Sequence, residues 1–188
     1  MARKETITIA KITDTAFEMV RAEGLKEVTA RKVAAKAECS TQPIFRVYKN
    51  MEELWAAVYL KAIDYFRGFY ELCDKSSDVP FVNLGMAYIL FARQEKHLFE
   101  ILFVSDEKYG DGSVKKSMYE ILNGDKGNVG AEIANAKSKG CVDPSDLFMK
   151  MWIFIHGAAC MSLTGDYDLS DEETKLLLIK SYEAYSKN

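Results

Sequence analysis

The stretch TARKVAAKAECSTQPIFRVYK, residues 29–49, decides the fold. Thr29 is a good N-cap for a short helix over residues 30–37, with Val33, Ala34 and Ala37 on one face. Glu38 and Cys39 turn the chain, and Ser40 is expected to cap a second short helix over residues 41–47. Pro43 falls in its first turn, where a missing N–H is no loss. Two short helices joined by so tight a turn form a helix-turn-helix pattern. Such a pair needs small residues at the crossing, and Ala34 and Ala37 supply them. The second helix needs an apolar anchor, here Ile44 and Val47. Its outer face then offers Thr41, Gln42, Pro43 and Arg46, while the helix starts at Thr29 and Ser40 aim N–H groups outward, as phosphate contacts require. Periodicity by itself also fits any small helical bundle.

Working outward, the chain reads as helix nearly throughout. Ile9, Ile12, Ala16, Met19 and Val20 recur at three and four, with Phe17 widening the stripe, and Gly24 stops that helix. Leu25 and Val28 are expected in the core. A long helix over residues 51–72 carries Trp55, Tyr59, Tyr65, Phe66, Phe69 and Tyr70. Residues 76–80 break the pattern. Helices are expected over 81–95 and 98–104, with a kink near Lys96 and His97. Residues 105–113, with Gly110 and Gly112, read as a mobile loop, 114–122 as a short helix and 123–130 as a second loop. A polar helix over 131–139 ends at Gly140. Asp143-Pro144 opens a strong helix to residue 163, closed by Gly165; Ser170 and Glu173 form a capping box for the last. No strand run survives, so the expected class is all-α.

The 188 residues are ordinary for a globular chain: 48% hydrophobic, 28% charged, net charge −3. The average hides an asymmetry. Residues 1–50 hold ten lysines and arginines against six acids, a net of +4; the rest holds fifteen against twenty-two, a net of −7. A basic head on an acidic body points to a polyanion that meets the head alone. We therefore divide the chain at residue 50, with 1–50 as a basic helix-turn-helix head and 51–188 as an acidic helical body.

Several function classes lose support. The longest apolar run, residues 151–163, is shorter than the ~20 residues of a membrane span, so no membrane partner is expected. Residues 1–4 have no apolar core behind them, as a secretory signal would. Cys39, Cys73, Cys141 and Cys160 show no paired spacing and read as reduced thiols in the cytoplasm. Cys39 in the turn fits a redox sensor or, more simply, a small apolar residue. The only histidines are His97 and His156; no zinc-helix, phosphate-loop or nucleophile-elbow motif accompanies them. The acids Asp171, Glu172 and Glu173 sit at a helix start, where they favour the dipole. Neither catalysis, a metal nor a cofactor is expected.

Residues 12–54 resemble the DNA-binding head of the tetracycline-repressor (TetR) family. The likeness rests on Ile12, Ala16, Phe17, Gly24, Val28, Thr29, Val33, Ala34, Ala37, Ser40, Ile44, Phe45, Tyr48, Lys49, Glu52, Glu53 and Leu54. Farther on, Trp152, His156 and Gly157 are similar to the W-x-x-x-H-G signature of one C-terminal subgroup. The resemblance implies a homodimeric, ligand-responsive repressor whose two second helices enter successive major grooves of a duplex operator, roughly 34–36 Å apart. It implies Thr41, Gln42, Pro43 and Arg46 at the bases, and Thr29, Phe45 and Lys49 at the backbone, with Ser40 and Tyr48 in the same interface. The plainer alternatives are a solvated Arg46, an exposed Gln42, a Pro43 that merely starts its helix and a Phe45 packed on the head. Arg3 and Lys4 fit either a phosphate track or a disordered tail. Three residues depart from the family pattern. Glu38 stands where glycine is usual, at ~1–2 kcal/mol if the turn is left-handed. Phe45 replaces a tyrosine and Met51 a lysine, so a donor and a cation are lost.

The body is expected to hold a small-molecule effector and a second subunit. Tyr59, Phe66, Tyr88, Phe91, Phe103 and Trp152 recur at helical spacing, with Asn83 and His156 as polar partners and Arg93 and Gln94 nearby. Singly, each aromatic fits plain core as well. Gly157 and Ala158 permit close helix approach, and with Met161, Leu176, Ile179 and Tyr182 they form a candidate dimer interface. The expected mechanism is a ligand-favoured state in which the helix 51–72 shifts and the heads lose their spacing. The competing reading is an α-helical ligand-binding or protein-interaction module with no role in transcription; an activator is a further one.

Overall fold

The computed structural model describes residues 7–107, 109 and 112–187; Arg3, Lys4 and Gly110 lie outside them. Among the described residues the regular structure is entirely helical. The chain packs as two compact units. The first runs to Tyr65 and takes in His97–Lys116; the second joins Phe66–Lys96 to the chain from Ser117 onward.

In the first unit, α1 (Ile9–Glu23) starts at Thr8, whose hydroxyl accepts the Lys11 N–H, and buries Ile12, Ala16, Phe17, Met19 and Val20. Gly24 ends it at φ +87°, and a Cβ there would come 3.2 Å from His97 Nδ1, so both backbone angle and space call for glycine. A single 3-10 turn, Leu25–Glu27, brings Val28 into the core; Leu25 is half-buried. Then α2 (Ala30–Lys36) and α3 (Gln42–Val47) follow as expected, with two corrections. The second short helix begins at Gln42, and Thr41 rather than Ser40 occupies its cap position, in helical conformation and with no side-chain cap. Glu38 does take a left-handed backbone, φ +57°. Helices of six and seven residues are unstable alone. Val33, Ala34, Ala37 and Ile44, all buried, hold them in place.

The long helix α4 (Met51–Leu72) has the expected bounds. Its residues 51–65 belong to the first unit and 66–72 to the second. Asn50 Oδ1 accepts the Glu53 N–H at 3.0 Å, and the Glu53 carboxylate accepts the Lys49 N–H at 2.7 Å, so α4 starts firmly after the turn that leaves α3. Farther along, the first unit holds most of α6 (Lys96–Phe99) and a π-helical turn, Glu100–Val104. The break falls at Glu95, just ahead of the expected kink. Beyond it, the loop reading over 105–113 missed Tyr109, which is buried and stacks on Tyr59 at 4.7 Å.

The second unit contains α5 (Val82–Gln94), α7 (Met118–Asn123), α8 (Asn128–Ser138), α9 (Pro144–Thr164) and α10 (Asp171–Ser186). The helix α8 starts at Asn128, inside the expected loop, and keeps Gly130 within it. The capping box of Ser170 and Glu173 forms as expected. Gly85 lets α5, α9 and α10 close up: a Cβ there would stand 2.8 Å from Ile155 and 3.1 Å from Leu178. The apolar run read as too short for a span is corrected by α9. Over Pro144–Thr164 the helix is long and apolar enough, by length and composition, to cross a membrane. Here it buries Leu147, Met151, Trp152, Ile155, Ala158 and Ala159 against its neighbours and carries an Asp146–Lys150 ion pair at 2.8 Å.

Candidate nucleic-acid interface

The helix α3 presents two unlike faces. Ile44 is fully buried and Val47 half-buried, and together they anchor it. Gln42, Phe45 and Arg46 point away, with Phe45 49% exposed. Thr41 and Pro43 are half-buried at its start. Lys49 is exposed just beyond its end. Thr29 is exposed and spends its hydroxyl on the Lys32 N–H, 3.4 Å away. Ser40 is exposed in the turn. Ser40, Gln42, Phe45, Arg46 and Lys49 are each exposed to solvent.

Tyr48 differs from its neighbours. It is buried, and its hydroxyl lies 2.6 Å from Thr13 Oγ1, a hydrogen bond from the end of α3 back to α1. That bond fixes the angle at which α3 leaves the core. Thr13 escaped the sequence reading because nothing local marks a threonine that meets a tyrosine far along the chain. Asn50 and Glu53, three apart ahead of an apolar run, are a cap signal the sequence did carry.

Charge reinforces the shape. Lys32 is tied to Glu27 at 2.5 Å, whose carboxylate that lysine holds below its usual range. No acid among the described residues pairs with the exposed Arg31, Lys36, Arg46 or Lys49. Unpaired surface cations beside an exposed polar helix are what a phosphate backbone requires.

The expected effector residues divide between the units. Tyr59 and Phe103 lie in the first, stacked with Tyr109 and tilted against Phe99 at 5.2 Å respectively. Burial pushes the Tyr109 hydroxyl up to about 12. In the second unit Phe66 meets Phe91 edge-on at 5.0 Å, and Tyr88 meets Trp152 at 4.7 Å. The Tyr88 hydroxyl lies 2.9 Å from His156 Nδ1, and His156 Nε2 lies 3.5 Å from Cys160 Sγ. Burial lowers the pKa of His156, favouring a neutral ring with one nitrogen on the Tyr88 hydroxyl and the other on the Cys160 sulfur. The Trp152 indole N–H donates to the Met118 sulfur. Asn83 is a loop brace, its amide bonded to the Ser77 backbone on both sides. Arg93 reaches Asp171 and the Leu169 carbonyl, each at 2.7 Å. Of the expected set, Phe66 borders an open cavity, which the α7–α8 connection completes.

The residues expected at a dimer interface sit on α9 and α10. Met161 and Leu176 are exposed, Gly157 faces open space, Ile179 and Tyr182 are half-buried and Ala158 is buried. Met149 and Ile153, which the sequence reading passed over, extend the same apolar stripe, with Ile153 67% exposed. Their spacing of four was the available signal.

Two solved structures share this architecture. One, from Rhodococcus sp. and assigned to the TetR family of transcriptional regulators, superposes with a TM-score of 0.66 at 14% identity, covering 94% of this chain and 97% of that one. Another, from Mesorhizobium loti and assigned to the same family, gives 0.51 at 17% identity over 93% of each. No family model and no curated protein matches the sequence. The chain therefore has the all-helical fold of TetR-type regulators, with a helix-turn-helix at its amino-terminal end.

Proposed function

We propose that this chain is a DNA-binding transcriptional regulator that works as a homodimer, and that it is a repressor released by a small molecule. The observation that carries the reading is α3: a six-residue helix anchored by Ile44 and Tyr48, with Gln42, Phe45 and Arg46 turned outward beside unpaired cations. The fold it shares with TetR-family regulators supports the same reading. Gln42 and Arg46 read base edges; Thr29, Phe45 and Lys49 follow the backbone. The domains are those read from the sequence, 1–50 for DNA and 51–188 for effector and partner. The apolar stripe Met149, Ile153, Gly157 and Met161, with Leu176, supports pairing of two copies through α9 and α10. Reduced thiols fit a cytoplasmic location, and no catalytic step is assigned.

Selection from random duplexes with the purified chain tests the proposal. The expected result is a palindrome with half-sites about one helical turn apart. Arg46→Ala weakens binding to it by about 1–3 kcal/mol and relaxes one position. Failure to enrich any duplex removes the regulator reading and leaves the helical ligand-binding module, which the cavity beside Phe66 favours.

A further inference from the structure

We propose that the cavity enclosed by α4, α7 and the α7–α8 connection binds a small aromatic carboxylate, with Arg67 as the residue that takes its charge. The role of such a ligand as effector rests on the function proposed above; the binding site itself does not.

The cavity holds about 190 Å³. An apolar hole of roughly 150 Å³ accepts a benzene ring, so a ring with one substituent fits. Phe66, Ile121 and Leu122, all buried, form the apolar wall. Phe91 and Tyr88 brace Phe66 edge-on at 5.0 and 6.4 Å, so that wall is fixed before a ligand arrives. The rim is charged. Arg67 faces Asp125 at 3.4 Å, and Glu71 faces Lys126 at 2.9 Å.

The two pairs are not equivalent. Glu71 meets Lys75 as well as Lys126, and those two lysines, Lys126 first, hold its carboxyl below the usual range. An incoming ammonium group finds that acid neutralised. Arg67 is the most sheltered charge of the rim, 27% exposed at the side chain, whereas Asp125, the acid that meets it across the rim, is 89% exposed. So exposed an acid contributes little to the pair. A carboxylate arriving from inside the cavity meets the guanidinium in a drier place and can engage it through two parallel hydrogen bonds. Asp125 then returns to water. This exchange also releases one of the two ion pairs that tie residues 124–127 to α4, leaving Glu71–Lys126 in place, with Gly124 and Gly127 at positive φ on either side.

Titration calorimetry on the full chain tests the assignment, with benzoate as the probe and benzyl alcohol and benzylamine as controls. Benzoate is expected to bind with a Kd below about 1 mM, at least about tenfold tighter than either control. Arg67→Leu removes that preference, and Leu122→Trp, which fills the cavity, removes binding. Asp125→Asn sits on an exposed loop, so it leaves the fold intact and tightens benzoate severalfold; it decides the case should Arg67→Leu fail to fold. Equal affinity for benzoate and benzyl alcohol, a preference for benzylamine, or benzoate binding unchanged in both Asp125→Asn and Leu122→Trp overturns the proposal. A chain that takes up duplex DNA and ignores benzoate loses this site and keeps its proposed function. One that binds benzoate and no duplex does the reverse.

Discussion

The helices α3 and α9 both meet solvent, and they do so in opposite ways. The first is one and a half turns long, hangs on Ile44 and Tyr48, and displays an amide, a guanidinium and one aromatic ring. The second spans 21 residues, buries six side chains on one side and displays methionine and isoleucine on the other. Donors and cations on a protruding helix suit a polyanion; an apolar stripe at a spacing of four suits another protein surface. The difference teaches that length and hydropathy alone misjudge both. The short helix is held by two anchors in spite of its length, and the long apolar one leaves one side uncovered in a single chain.

That contrast breaks most readily at Gly157. In a single chain nothing lies within 4 Å of a Cβ built there, so Gly157→Arg leaves the fold of one subunit intact. If α9 pairs two copies, the substitution raises the dimer dissociation constant by about 2 kcal/mol or more in analytical ultracentrifugation, with unchanged circular dichroism. An unchanged sedimentation profile transfers the interface elsewhere. Gly85→Val probes the buried side of the same helix. Its new methyls meet Ile155 and Leu178, and urea melts are expected to show a loss of about 1–3 kcal/mol. On the other side of the comparison, Glu38→Gly relieves the left-handed turn ahead of α3. Offset by the greater freedom of an unfolded glycine, the gain is about 1 kcal/mol or less in stability. Weaker DNA binding in that more stable variant would show that the glutamate has a role in the interface.

The smallest expected effect concerns pH. His156 is held below its ordinary value of 6.5 by burial, so the unfolded chain binds the proton more tightly than the folded one. Its contribution to stability is complete above pH 6.5 and is lost as pH falls toward the lower folded value. His156→Gln is expected to flatten thermal midpoints over that window, and a slope identical to wild type assigns it to other groups.

Much of this was legible locally. Thr29, Gly24, Pro144, Ser170 and Gly165 act on their own few neighbours, and periodicity fixes which side of α1 is buried. The exposed face of α3 was legible for the same reason, since Gln42, Phe45 and Arg46 are exposed simply because Ile44 is not. What escaped the sequence depends on partners far along the chain. Phe81 takes a left-handed backbone, φ +66°, with its ring buried and its N–H on the Glu132 carboxylate at 2.8 Å. Burial in turn raises the pKa of Glu132. Tyr109 is held inside by Tyr59, and the cavity exists only because the α7–α8 connection folds back beside Phe66. The aromatics foreseen as one ligand shell were chosen by spacing along helices, which says nothing of the unit each would join.

The central claim is that a chain of net charge −3 grips a polyanion through the cations around α3. Affinity for duplex DNA measured against salt concentration tests it most directly. On a log–log plot the slope is expected to be negative, about −0.9 for each phosphate neutralised, and to become shallower by roughly one contact per subunit in Lys49→Ala. A flat plot, or one that Lys49→Ala and Arg46→Ala both leave untouched, contradicts the account.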